Sequence, residues 1–211
     1  MFAVSRDAPI QSIDPRNPQP RHVARAVSIL EAGGIVAYPT DTYFGLGCDL
    51  FQKKAIERLA RLKRRSEKKP FAFLCASLSE AAQYAIIDND NYRLIRRLTP
   101  GPYTFVLDAT RIVPRTALTR QRQVGVRIPD APVALALVTG LGRPLATTSA
   151  TLPDGETLID AADIQKRLGH ELDLILDGGS ILNERSTVID LTSGKPAVLR
   201  EGKGKIEGLR G

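Results

Sequence analysis

The chain has no tryptophan, one methionine, two cysteines and two histidines in 211 residues, and each scarcity removes a class of chemistry. Cys48 and Cys75 form no Cys-x-x-Cys pair, which excludes a disulfide framework or a zinc ribbon. His22 lies in a helical stretch and His170 just past Gly169, so neither a Ser/His triad nor a histidine metal site is expected, and no metal site from protein side chains is read. The longest clean apolar run, Ala131 to Val138, is far below the ~20 residues of a membrane helix. Arg6, Asp7, Pro9, Asp14 and Pro15 break up the start of the chain, so no secretory leader and a cytoplasmic location are expected. Phosphate-binding loops of the common kinds are missing as well. Gly194-Lys195 runs into Pro196, and Gly45-Leu46-Gly47 meets Leu50 where a dinucleotide fingerprint needs glycine. Ser66-Glu67-Lys68-Lys69 matches a Ser-x-x-Lys nucleophile, but no Ser-Asp-Asn or Lys-Thr-Gly accompanies it.

What the chain does have is ordinary globular composition, with 43% hydrophobic and 25% charged residues. A chain of this length buries roughly 70% of its unfolded surface without staples, and residues 1–211 read as one domain. Its net charge is +7, unevenly placed. From Lys53 to Lys69 nine basic residues face Glu57 and Glu67, a net of +7. From Arg111 to Arg127 five arginines meet no acid, and the rest of the chain is therefore left at −5. Such clustering attracts polyanions: nucleotide triphosphates, RNA or DNA.

Periodicity gives the fold class. Val23, Ala26, Val27 and Leu30 recur at helical spacing and stop at Gly33-Gly34. Helices are predicted around Ile56–Lys63, after the Ser77/Glu80 capping box, around Tyr92–Arg96, from Pro132 to Val138 and over Ala161–Leu168. Strands are predicted at Ile35–Tyr38, Phe71–Cys75, Tyr103–Asp108, Val124–Ile128, Leu145–Thr147, Leu174–Leu176, Val188–Leu191 and Val198–Leu199. The segment before Arg21 reads as a proline-rich lead-in, and Thr40–Gly47 as a loop. Helices alternating with short strands give an α/β fold on a central sheet.

Six loops near the predicted strand ends share small hydroxyls, glycine or proline and a single cation. They are Pro39–Gly47, Lys63–Pro70, Pro100–Thr104, Gly125–Pro129, Thr147–Thr151 and Ser186–Asp190, with Arg200-Glu201-Gly202 behind. Strand ends are where α/β sheets hold ligands. Singly, Thr40 and Ser149 are ordinary turn residues, Lys63 is a helix C-terminal cation, and Asp41 caps its own loop. Together they could fix a small polar substrate and neutralise its phosphate or carboxylate oxygens.

In this order the loops resemble the YrdC/YciO-type family, whose best-known members are threonylcarbamoyl-AMP synthases. The motifs are Pro39-Thr40-Asp41-Thr42-Tyr43-Phe44-Gly45-Leu46-Gly47, Lys63-x-Arg65 with Pro70, Pro100-Gly101-Pro102-x-Thr104, Arg127-x-Pro129, Ser186-Thr187-Val188 and Arg200-x-Gly202. The resemblance spans about Arg21 to Gly202 and is nearest the YciO-like branch. Phe44 replaces the family's tyrosine, Ser149-Ala150-Thr151 its Ser-x-Asn, and Leu74 or Cys75 a histidine that synthases often carry.

The resemblance implies a single-domain twisted mixed sheet with flanking helices and an open basic cavity. It implies formation of threonylcarbamoyl-adenylate and pyrophosphate from L-threonine, bicarbonate and ATP, with Mg²⁺ carried by the ATP, in the service of tRNA modification. On this reading Lys63, Arg65 and Ser149 are catalytic, while Thr40, Arg127, Ser186 and Thr104 hold L-threonine. Lys63, Arg65, Ser66, Ser149, Thr151 and Arg200 bind the nucleotide. The alternative is a double-stranded RNA or tRNA binder of the same fold using Lys53, Lys54, Arg64, Lys68, Arg120 and Arg122.

Overall fold

Side-chain alternation along short strands decides which face of the sheet is open. The computed structural model describes residues 7–64, 71–181 and 184–207. Its strands are β1 (Ile10–Ser12), β2 (Val36–Tyr38), β3 (Gly45–Asp49), β4 (Ala72–Leu74), β5 (Tyr103–Asp108), β6 (Gln123–Arg127), β7 (Leu145–Ser149), β8 (Leu174–Asp177), β9 (Thr187–Asp190) and β10 (Ala197–Arg200). The helices are α1 (Pro20–Glu31), α2 (Lys53–Leu62), α3 (Leu78–Tyr84), α4 (Asn89–Leu98), α5 (Pro132–Leu141) and α6 (Ala161–Leu168). All ten strands join one mixed sheet in the order β1-β8-β2-β3-β7-β4-β6-β5-β9-β10.

Local signals account for most of these ends. Gly33 takes φ +85°, and the N–H groups of Gly33 and Gly34 donate to the carbonyls of Leu30 and Ile29, closing α1. The Ser77 side chain accepts from Glu80 N, but the Glu80 carboxylate accepts from Ala76 N at 2.6 Å, one residue before the cap. Pro132 opens α5, as expected.

Two expectations fail. The lead-in contains β1, which pairs in parallel with β8 through Ile10–Ile175, and Gly45–Gly47 is strand rather than loop. The second failure has a physical cause. A Cβ on Gly45 or Gly47 would lie 2.8 or 2.9 Å from the Tyr38 ring, so this strand carries glycine because a buried aromatic lies across it. The glycines mark close packing, not a turn.

One face of the sheet buries Ala37, Phe73, Phe105, Val126, Ala146 and Ile175 under α2, α3, α4 and α6. On the other, α1 and α5 cover Val36, Tyr38, Leu74, Leu145, Leu174 and Leu176. No buried residue of β5, β6 or β9 belongs to that second cluster. Among the described residues no helix covers this half of the face, and the outward residues of those strands form a floor.

Candidate active site

That floor opens into a cavity of about 690 Å³. Ala72 and Gly125 keep its base thin, with Thr147, Thr104, Val106 and Val188 alongside. The described lining contains four cations, Lys63, Arg127, Arg185 and Arg200, and no carboxylate. Thr40, Thr104, Ser149, Thr151 and Ser186 line it too, so eight of the residues singled out by sequence meet here.

Strand register gives the cavity two ends. Arg127 opposes Leu74, and Leu74 opposes Leu145, so Arg127 is level with the start of β7. Ser149 lies four residues further along β7, about 13 Å away at ~3.3 Å per residue.

At the Ser149 end, Lys63 caps α2 and donates to the carbonyl oxygens of Ser149, at 3.1 Å, and of Thr151. Burial without a carboxylate partner pushes its ammonium down to about 8. The Ser149 and Thr151 hydroxyls lie 3.0 Å apart, and Thr151 reaches Thr157 at 3.3 Å. Thr157 was invisible to motif reading, since it sits outside every quoted loop.

At the other end, Arg127 Nη2 donates to Asp41 Oδ1, to Thr42 Oγ1 at 2.7 Å and to Thr40 Oγ1 at 3.4 Å. The expected role of Asp41 as a cap of its own loop is thus wrong. Thr40 does that work, accepting from Thr42 N and donating to Tyr43 O, because its shorter side chain reaches the turn. Asp41 instead neutralises Arg127, and its second oxygen accepts from Asp130 N. Lys203 Nζ donates to the Asp41 carbonyl at 2.7 Å, bringing the segment after β10 against this loop.

Across the floor, Arg200 opposes Val188, which opposes Thr104. Arg200 donates through Nε and Nη2 to the Ser186 carbonyl and through Nη2 to its hydroxyl, and Ser186 Oγ is 3.0 Å from Thr104 Oγ1. Burial, then the neighbouring charges of Arg185 and Arg127, lower the Arg200 guanidinium below its ordinary value. Arg185 and Thr42 were missed by sequence reading. Arg185 directly precedes the Ser186-Thr187-Val188 motif, and Thr42 lies within a quoted one, so the only signal was adjacency.

The remaining candidates sit elsewhere. Arg65, Ser66 and Lys68 lie outside the described residues. Lys53, Lys54 and Arg64 are exposed along and just after α2, and Lys53 pairs with Glu57 at 3.8 Å. Arg120 and Arg122 are exposed in the turn before β6, at the end opposite Arg127. Cys75 packs into the core on the covered face, whereas Leu74 takes the cavity side. Burial pushes the Cys48 thiol up to about 12 and raises Cys75 as well, so neither is a thiolate nucleophile near neutrality.

The sequence matches the model of a family described as telomere recombination, Sua5/YciO/YrdC, over residues 28–202. The crystal structure of Escherichia coli YciO is 40% identical, covers 95% of this chain and 98% of that one, and superposes with a TM-score of 0.91. A mouse protein named threonylcarbamoyl-AMP synthase is 34% identical over 92% of this chain and 72% of its own. The structure of Pyrococcus abyssi Sua5 complexed with L-threonine is 30% identical, with a TM-score of 0.89, over 97% of this chain and 61% of that longer one. Among the described residues, no helix is long and apolar enough to cross a membrane.

Proposed function

The chain belongs to the Sua5/YciO/YrdC family, and from that membership and its cavity we propose that it forms threonylcarbamoyl-adenylate from L-threonine, bicarbonate and ATP. The observation that carries this reading is the two-ended cavity, cationic at both ends, lined with hydroxyls and without a carboxylate among its described lining residues. On this reading two polar substrates face each other across its floor. A relative crystallised with L-threonine and another named for the product support the substrate class.

In this reading the threonine amine attacks the carbon of bicarbonate, water leaves, and a carbamate forms. A carbamate oxygen then attacks the α-phosphorus of ATP, the bond to the β-phosphate oxygen breaks, and pyrophosphate departs. Such transfer needs alignment and charge neutralisation rather than a covalent protein intermediate. Lys63 and Arg65 are assigned to the phosphates with Ser66, Thr151 and Arg200, and Ser149 to the junction of nucleotide and amino acid. Thr40, Thr104, Arg127 and Ser186 are assigned to L-threonine. Mg²⁺ is assigned to the nucleotide substrate, carried in with its phosphates.

The test is pyrophosphate release from ATP with each amino acid in turn, with and without bicarbonate. Release that requires both L-threonine and bicarbonate is expected, at a low rate given the departures at Phe44, Leu74 and Thr151. Lys63→Ala should weaken ATP binding by about 1.5–3 kcal/mol, the scale of a hydrogen bond to a charged group. Release indifferent to threonine and bicarbonate, or unchanged ATP affinity in that variant, overturns the reading.

A further inference from the structure

Of the four cations in the described lining three crowd one end, and among the described residues only Arg127 pairs with a carboxylate. Arg127 has Asp41, with the pair largely shielded from solvent. Among the described residues Arg200 hydrogen-bonds only to the carbonyl and hydroxyl of Ser186, both neutral. Arg185 stands beside it at the cavity lip, exposed and close enough for its charge to act on Arg200. Two like charges held together, with no acid between them among the described lining residues, repel each other, and an anion relieves that repulsion.

The backbone here is built to hold that geometry. Arg185 O accepts from Lys203 N at 2.8 Å, tying the segment after β10 to the residue before β9. At Gly202 a Cβ would fall 2.2 Å from the same carbonyl, so only glycine permits this approach. Thr187 Oγ1 accepts from Gly202 N at 3.1 Å and donates to Gly204 O at 2.6 Å. Arg185 and Arg200 thus extend from two strand ends fixed against each other.

We propose that Arg185 is a further substrate-binding residue, forming with Arg200 a paired guanidinium seat for a terminal oxyanion of the substrate. The inference rests on the synthase reading for the identity of the substrate, but not for the seat itself. The oxyanion is the phosphate tail of the nucleotide or the carboxylate of the amino acid. Two planar forks bind such groups bidentately, which a lysine cannot reproduce.

The experiment is calorimetry on the full chain with pyrophosphate, ATP and L-threonine as separate probes, for wild type, Arg185→Ala, Arg185→Lys and Arg200→Ala. Arg185→Ala should weaken pyrophosphate about tenfold or more, with Arg185→Lys recovering little and the melting temperature unchanged. Whichever of ATP and L-threonine loses affinity in parallel identifies the source of the oxyanion. Steady-state assay should then show the loss in the KM of that substrate more than in kcat. If all three probes bind Arg185→Ala as they bind wild type, Arg185 is only a surface cation and the proposal falls. If pyrophosphate binding depends on Arg185 while ATP and L-threonine do not bind wild type, the seat stands and the synthase reading fails. If wild type binds none of the three, both fail.

Discussion

Lys63 carries the sharpest residue-scale consequence, because its proton is held weakly inside the range of ordinary buffers. Its ammonium is pushed down to about 8 by burial, while an unfolded lysine titrates near 10.5. Between those values the unfolded chain binds the extra proton, so stability attributable to Lys63 rises with pH across that window. Nucleotide affinity should move the other way, since the neutral amine no longer attracts phosphate. Relative to pH 7, ATP affinity should fall about tenfold at pH 9, one unit above the midpoint. Lys63→Arg should flatten that dependence, as guanidinium does not titrate there. Calorimetric titrations from pH 7 to 9 check this, and an equally steep decline in the arginine variant would place the titrating group elsewhere. Denaturant unfolding of wild type against Lys63→Met over the same range checks the opposite sign of the stability term. In the resting structure Lys63 holds the carbonyls of Ser149 and Thr151, so phosphate must compete with that loop. No motif could reveal this, because a backbone acceptor leaves no trace in residue identity.

Among the elements, β3 shows how a sequence signal can be read with the wrong sign. The sequence predicts a loop over Thr40–Gly47, yet Gly45 and Gly47 both pair across to β2 and β7. Their missing side chains make room for Tyr38, whose hydroxyl is 2.6 Å from Thr147 Oγ1 and whose burial raises it to about 12. Gly47→Ala should therefore cost about 1–3 kcal/mol by overpacking. In a chain of this size that lowers the melting temperature by roughly 2–4 °C per kcal/mol. Tyr38→Leu in the Gly47→Ala background should restore part of the loss by vacating the contested space. Thermal unfolding of the single and double variants measures both, and purely additive losses would show that the ring is not the obstacle. Helices were easier to read. α6 runs from Ala161 to Leu168 as periodicity predicts, since an Asp160 cap accepting from Asp163 N is a local signal.

On the scale of the whole molecule, the described basic residues include two separate groups, one at each end of β6. Lys63 and Arg127 face the cavity, whereas Arg120 and Arg122 lie at the far end of β6. Arg111, Arg115 and Arg122 line a second cavity floored by Ile86, Ala109 and Val113. If the RNA-binding alternative holds, duplex affinity should fall steeply with salt, with a log–log slope of several units. Removing Arg120 and Arg122 together should flatten that slope, while Ser149→Ala should leave it alone. Filter binding of a duplex RNA at several salt concentrations distinguishes the two, and an undetectable or salt-independent interaction would leave this face as solvated surface.

The sequence alone determined the fold class and most of the elements, though not β1 or β3, because helix caps, strand alternation and turn chemistry act over a few residues. Its two histidines and two cysteines, scattered outside any shared motif, give the expectation that chemistry here rests on cations and hydroxyls. Tertiary structure decided what each of those residues does. Leu74 rather than Cys75 faces the cavity because α1 and α5 cover one half of its face and strand parity fixes the rest. Asp41 serves Arg127, 86 positions away, and Lys63 serves the carbonyl of Ser149, also 86 positions away. Such pairings depend on the order in which strands join the sheet. That order is set by burial summed over the whole chain, and no local pattern of residues encodes it.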